Sequence, residues 1–318
     1  NARGGNPVRI EKLGLEWNRE LARIEAAANG LTAFDAEGGA AFHSNRAIVE
    51  FDAAGLLSGR LQVRGLRLES GEANMRRSSD GIWSVADIDF FTEPPPGSSL
   101  FQALQDFSWD KMASPIRAFI DSGSFSRVEF SEFEIHVTDD KTGANWSVSP
   151  AAGSWSAGEN GISLDVEMHL VGRAEPNLAL LTLRSNADVT SARASLVLEG
   201  VDPLSVVEAV GAGDVAFESS GFANAAFSIA ASESAGLEEA GLSLSGVQGQ
   251  GDFAGRDLTV SDLNLQVAYN PALGAVELTD LTIASDRLSG KWTGQFGFSP
   301  ALAADGATSF PFELEGQT

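Results

Sequence analysis

The chain has no cysteine, one tyrosine, three methionines and three histidines in 318 residues. Without thiols there is no disulfide staple, no thiolate metal site and no thiol nucleophile. The absence does not fix a compartment, because both cytosolic and exported proteins can lack cysteine. Long apolar runs are also missing. No stretch reaches the roughly 18 apolar residues that a membrane-spanning helix needs. Basic residues are scarce: 21 Lys and Arg face 44 Asp and Glu, for a formal charge of −23. That excess excludes a general nucleic-acid binder and disfavours docking on an anionic membrane through a basic patch.

Catalytic motifs are missing too. There is no GxSxG elbow, no P-loop and no HExxH spacing. His43, His136 and His169 are far apart in sequence and are expected at the surface. Gly211-Ala212-Gly213-Asp214-Val215-Ala216 matches a relaxed dinucleotide pattern. It follows a helix and precedes a strand-like run, the reverse of what the motif requires, so a turn is expected. Asp139-Asp140 and Glu238-Glu239 read as turn or surface acids. Gly249-Gln250-Gly251-Asp252 occurs once and faintly resembles a calcium-binding repeat. Asn145-Trp146-Ser147 is a formal glycosylation sequon. No catalytic residue, metal ligand or cofactor is expected. The chain starts at Asn1 without Met or a signal-peptide pattern, and is expected to be a piece of a longer protein.

What is present is a globular balance, 43% apolar and 20% charged, with alternation of period two. Ile162, Leu164, Val166 and Met168 alternate with polar residues, as a strand with one apolar face does. Ala194, Leu196 and Leu198, and then Phe227 and Ile229, repeat the pattern. A second motif, apolar-x-apolar-x-x-apolar-x-apolar, occurs five times. Its copies begin at Val8, Leu61, Val128, Leu258 and Val276, with breaks at Glu11-Lys12, Arg64-Gly65, Ser131-Glu132, Ser261-Asp262 and Thr279-Asp280. One extra residue flips the facing of everything after it, unless a bulge absorbs it. Two architectures fit: a strongly curved sheet bent at bulges, or a sandwich of short strands joined at tight corners.

Short helices are expected over 98–107, from Ser114 as N-cap with Pro115 at the first helical position, and over Pro203–Val210 behind Asp202. Residues 20–28 suit either helix or strand. Pro94-Pro95-Pro96-Gly97 marks a boundary. The organisation read from this is an N-terminal β region (1–93), a helical connector (94–122) and a longer β region (123–318). The fold class is all-β with a few short helices: an elongated, strongly curved antiparallel sheet forming a hydrophobic groove, like a folded taco.

An antiparallel sheet must bury its apolar face against something. Either a second sheet covers it, or the sheet curls and a ligand does. The lining read from alternation is Ile162, Leu164, Val166, Met168, Leu196, Leu198, Phe227, Ile229, Leu263, Leu265, Val267, Leu281 and Ile283. These residues are expected to contact phospholipid acyl chains.

The order of features resembles the AsmA-like superfamily of Gram-negative envelope proteins, most closely the YhdP type. The resemblance is carried by the strand pair Val8–Leu15 ending at Trp17, by Leu56-Leu57-Ser58-Gly59-Arg60, by Met75-Arg76-Arg77 and by Asp80-Gly81-Ile82-Trp83. Further along, Asp139–Trp146, Asp202-Pro203 and Ala268-Tyr269-Asn270 continue it over nearly the whole chain. The resemblance implies a periplasmic β groove, anchored to the inner membrane by an N-terminal helix missing here. It implies phospholipid movement toward the outer membrane, similar to the bridge-like lipid-transfer proteins of eukaryotes, with other envelope proteins as further partners and no nucleic acid. Two alternatives stay open. One is an outer-membrane protein assembly or structural envelope factor acting through strand edges. The other is an exported glycan-binding sandwich using Trp83, Trp146 or Trp155 as platforms.

Overall fold

The computed structural model describes residues 7–18, 23–35, 37–52, 63–85, 88–92, 108–110, 113–114, 116–117, 126–141, 143–170, 177–203, 217–219, 221–252, 257–271, 275–297, 301–302, 308–309 and 312–317. These are nearly all β, 81% strand and 3% helix, in curved, unclosed, mainly antiparallel sheet. The chain divides into two compact units. The first comprises Asn1–Pro95, Lys111–Pro176 and Arg184–Val189, and the second Pro96–Asp110, Asn177–Leu183 and Thr190–Thr318.

The first unit holds β1 (Val8–Asn18), β2 (Arg23–Phe34), β3 (Ala40–Phe51), β4 (Val63–Arg77), β5 (Ile82–Val85), β6 (Ile88–Thr92), β7 (Arg127–Asp139), β8 (Ala144–Gly158) and β9 (Gly161–Leu170). Strands β1 to β4 pair antiparallel in chain order. The overhang of β4 beyond β3 pairs with β5, which pairs with β6. On its other side β4 pairs in parallel with β7, which leads antiparallel to β8 and β9. Alternation alone pointed to antiparallel pairing, and this parallel ladder is a departure from it. Parallel pairing requires a long connection, and here the chain between Arg77 and Arg127, with β5 and β6 in it, separates the two strands.

β10 (Asn177–Ser185) has residues Asn177–Leu183 in the second unit and Arg184 and Ser185 in the first. The second unit holds β11 (Ser191–Val201), β12 (Phe217–Ser219), β13 (Ala223–Ser232), β14 (Gly236–Asp252), β15 (Asp257–Asn270), β16 (Ala275–Ser285) and β17 (Ser289–Gly297), then the short β18 (Ala301–Leu302) and β19 (Thr308–Ser309), and β20 (Phe312–Gln317). Antiparallel pairing runs from β11 to β13, β14, β15, β16, β17 and β20, with β12 beside the far end of β14.

Four of the five sequence breaks are bulges. Arg64 is the extra residue between the pairs Glu50–Gly65 and Phe51–Val63. On β7, Phe130 and Phe133 oppose Gly153 and Ala151. Ser261 is extra on β15 and Thr279 on β16. The fifth break, Glu11-Lys12, keeps register because β2 carries the same irregularity, with Gly30 at φ 66° beside it. Glu132 (φ 55°) takes the same left-handed backbone at the break of β7, and so does Ser70 (φ 50°) beside it on β4. A further bulge on β8 spans Val148 to Ala151 against both its neighbours. It contains Pro150, which has no N–H to give a ladder.

Residues 23–34 are strand, not helix. Pairing on both sides outweighs the helix propensity of the alanines, whose small side chains fit between Leu13 and Ala47, or Leu15 and Val49. Ser114 is itself helical and follows helical Trp109, Asp110 and Ala113, so it is not an N-cap. Ser108 immediately precedes the helical residues and is of the favoured capping type. The expected helix at 98–107, most of Pro203–Val210, and the turn at 211–216 lie outside the described residues.

Two glycines make room for aromatic rings on the apolar face. A Cβ on Gly153 would come within 2.6 Å of the Phe130 ring. One on Gly71 would meet the Phe133 ring at 2.8 Å and also the His43 carbonyl. Phe133 stacks on Phe42, with centroids 5.6 Å apart, across the strand that carries Gly71. Gly71→Ala is therefore expected to lower stability by about 1–3 kcal/mol through overpacking. Gly158→Ala, with nothing within 4 Å of its new methyl, stays within about 0.5 kcal/mol. Urea unfolding of both variants checks this contrast.

Candidate functional site

Residues paired across a ladder point to the same face, so the registers show what each face carries. In the first unit, one row runs Leu15, Ala26, Val49, Leu66, Val128, Trp155, Leu164. The next runs Leu13, Ala28, Ala47, Leu68, Phe130, Gly153, Val166, and a third ends in Phe133, Ala151, Met168. Three of the expected residues, Leu164, Val166 and Met168, thus terminate three apolar rows. Ile162 pairs with Ala157 at the hairpin end and is buried at 3% exposure.

The second unit gathers the other nine. Leu196, Phe227, Leu242, Val267 and Leu278 form one row, and Leu198, Ala225, Leu244, Leu265, Leu281 and Trp292 the next. Val247, Leu263 and Ile283 form a third, and Ala194, Ile229, Ala240, Tyr269 and Val276 a fourth. Ala223, Ala225, Leu244 and Val247 make the buried floor, with Leu198, Phe227, Leu263 and Leu265 packed against it.

Of the thirteen lining residues, Ile162 alone is fully buried and the other twelve are half-buried. A face closed by a second sheet would bury such residues fully. Here they keep contact area free, and the sandwich expected as the alternative does not form within either unit among the described residues. The two hollows along β16, β17 and β20, of about 400 and 350 Å³, are shallow and largely polar. They lie apart from most of these rows, although Leu278 lines one of them.

The opposite face is polar and ion-paired. Arg46 reaches Glu16 at 3.3 Å and Glu69 at 3.7 Å. Arg67 reaches Glu50 at 3.0 Å, Glu69 at 3.8 Å and Glu129 at 3.7 Å. One lattice therefore ties β1, β3, β4 and β7. Glu25 and Glu50 are buried cross-strand neighbours. Asn18 donates to Glu25 at 3.0 Å, and Arg67 donates to Glu50. At the end of the parallel pair, Arg77 donates to Asp139 and Arg76 to Asp140, each at 2.7 Å. Asp139 also accepts from the Lys141 amide, so the paired acids hold a turn. His43 and His136 bond to Thr32 and Ser147 on this polar face. Gly249–Asp252 is strand, paired with β15. Among the described residues no cluster of His, Asp or Glu could hold a metal ion.

The tryptophans form no common platform. Trp83 carries the Arg77 guanidinium over its ring at 5.7 Å, and Trp155 lies in an apolar row beside Leu164. Sequence reasoning left β14 out of the lining. Yet Leu242, Leu244 and Val247 repeat the broken spacing of the other strands, with Gly246 at φ 74° in the break. That signal was available to find them.

No protein-family model, curated protein or solved structure matches the chain.

Removing the Arg67 guanidinium takes one counter-charge, at 3.0 Å, from Glu50, which is only 5% exposed. Arg67→Ala is expected to cost on the order of 2 kcal/mol, less than for a fully buried pair because Arg67 is partly exposed. Arg193→Ala, which breaks an exposed pair with Glu239, costs below about 1 kcal/mol. Thermal unfolding compares the two. Hydrogen bonds from Lys291 first, and then from Thr282, hold the Asp280 carboxyl below the usual range. Its contribution is present above the unfolded value of about 3.9 and is lost only as pH falls through the depressed folded value. A carboxyl NMR titration should show Asp280 still ionised where exposed aspartates have protonated.

Proposed function

We propose that the apolar faces hold phospholipid acyl chains, and that the chain acts without catalysis as a periplasmic lipid-carrying surface between inner and outer membranes. This is the role implied by its resemblance to AsmA-like proteins. The observation that carries the reading is the set of apolar rows, aligned by register, in which buried residues such as Leu244 and Val247 lie among partly buried ones, backed by an ion-paired polar face. Seven strands at about 4.8 Å spacing give a row of roughly 29 Å. That matches the hydrocarbon thickness of a bilayer, about 30 Å. Each methylene shielded from water is worth about 0.8 kcal/mol. Equivalent rows repeated from strand to strand offer no single deep well, so a lipid is held without being fixed in one place.

Native mass spectrometry of the purified chain, with lipid extraction of the same sample, is expected to show phospholipid at variable stoichiometry. Leu265→Asp or Leu164→Asp abolishes the bound lipid, while Ser243→Asp on the opposite face keeps it, with circular dichroism confirming the β fold of each. Normal lipid carriage by folded Leu265→Asp overturns the reading. A lipid-free wild-type chain that takes up none on addition favours the alternative of an envelope assembly factor acting through strand edges. The observation supporting that alternative is the exposed apolar edge strand β1.

A further inference from the structure

Five of the most exposed large apolar side chains stand on one strand: Val8 at 61%, Ile10 at 45%, Leu13 at 66%, Leu15 at 76% and Trp17 at 56%. That strand, β1, has one ladder partner among the described residues, β2. Among the described residues nothing pairs with its other edge, which offers backbone donors and acceptors beside an exposed apolar face. Insertion into a bilayer does not suit such an edge, because lipid cannot satisfy its N–H and C=O groups. Another strand satisfies the edge, and its side chains pack laterally against those of β1.

We propose that this strand is β1 of a second copy of the chain, paired antiparallel about a two-fold axis between Glu11 and Lys12. The pattern Val8-x-Ile10-x-x-Leu13-x-Leu15 reads the same in both directions. Antiparallel self-pairing therefore sets Val8 opposite Leu15 and Ile10 opposite Leu13, twice over, with all of them on one face. The irregular centres of the two strands coincide, as those of β1 and β2 already do. At the axis Glu11 of each copy faces Lys12 of the other. Sliding the register by two residues instead sets Lys12 opposite Leu13 and turns an ammonium onto the apolar face, so one register is selected. A lysine in mid-strand usually guards an edge against pairing; here the opposing glutamate neutralises it. Both residues are exposed, and Glu11 lies over Gly30, one strand spacing from the open edge. The contact is isologous, and so it closes at a dimer. Each copy carries −23, but the charges of β1 itself, Arg9 and Lys12 against Glu11 and Glu16, balance. The general repulsion is screened by salt more than the contact pairs are. This pairing stands apart from the lipid reading and requires no bound lipid.

Sedimentation equilibrium of the full chain at physiological salt is the test. The expected result is a dimer that Lys12→Glu or Glu11→Lys alone weakens by about tenfold or more, through like charges at the axis. An equimolar mixture of the two variants restores dimerisation, because glutamates of one copy then face lysines of the other. The chain has no cysteine of its own, so oxidising a mixture of Ile10→Cys and Leu13→Cys chains reports the register directly. The mixed disulfide dimer should exceed either homodimer. A wild-type chain that stays monomeric at about 50 μM, near −6 kcal/mol on the affinity scale, overturns the proposal. So does a dimer indifferent to both charge variants, or a monomer that floats with lipid vesicles.

Discussion

Every feature of this protein depends on one geometric constraint: a strand that bends must not turn its apolar side chains away from their face. Period-two alternation places them correctly only while the strand is regular. Each break adds a residue, and a bulge or a matching irregularity in the neighbouring strand absorbs it. Glu132 accepts left-handed backbone at such a point, and Ser70 does so beside it on β4, with φ of 55° and 50°, a conformation that costs a non-glycine residue on the order of 1 kcal/mol. That local cost is offset by the apolar rows kept continuous on either side of the break.

The two faces solve different problems. The apolar face of the second unit packs a floor of Ala225, Leu244 and Val247 yet leaves larger side chains half-open. It is stable enough to stay folded and still has surface to offer. The polar face carries charge in ordered lines, such as Glu16, Arg46 and Glu69. With an acidic excess of this size, scattered carboxylates would repel one another. Placing the few arginines between glutamates on adjacent strands limits that repulsion where it matters most, beside the buried pair Glu25 and Glu50.

Much of this was legible in the sequence because strand facing is a local property. The spacing Leu263, Leu265, Val267 fixed their face, and the polar residues at Ser261-Asp262 marked the break. Alternation also put Leu196 and Leu198 with Phe227, which the registers align. What stayed hidden is what depends on partners. The alanine-rich strand Arg23–Phe34 has no strand signature of its own and is held by neighbours on both sides. The parallel pairing of β4 with β7 has no local signal, because hydrophobic alternation is the same whichever way the neighbour runs. The lining contributed by β14 was legible in the broken spacing of Leu242, Leu244 and Val247, but the glycines and serines around it drew attention away.

That parallel pair also sets an order of events in the birth of the chain. Residues joined across it are some 62 positions apart in sequence, as Arg64 and Ser126 are, whereas β1, β2 and β3 each pair with the next strand in sequence. During synthesis the first four strands can zip together as they emerge. One edge of β4 then waits for β7, for roughly 3 to 12 s at ordinary rates of about 5–20 residues per second. An open strand edge with an apolar face is most prone to aggregate in such an interval. Arg76 and Arg77 at the end of that strand put like charge at one end of the nascent edge, which discourages mispairing until Asp140 and Asp139 arrive to meet them.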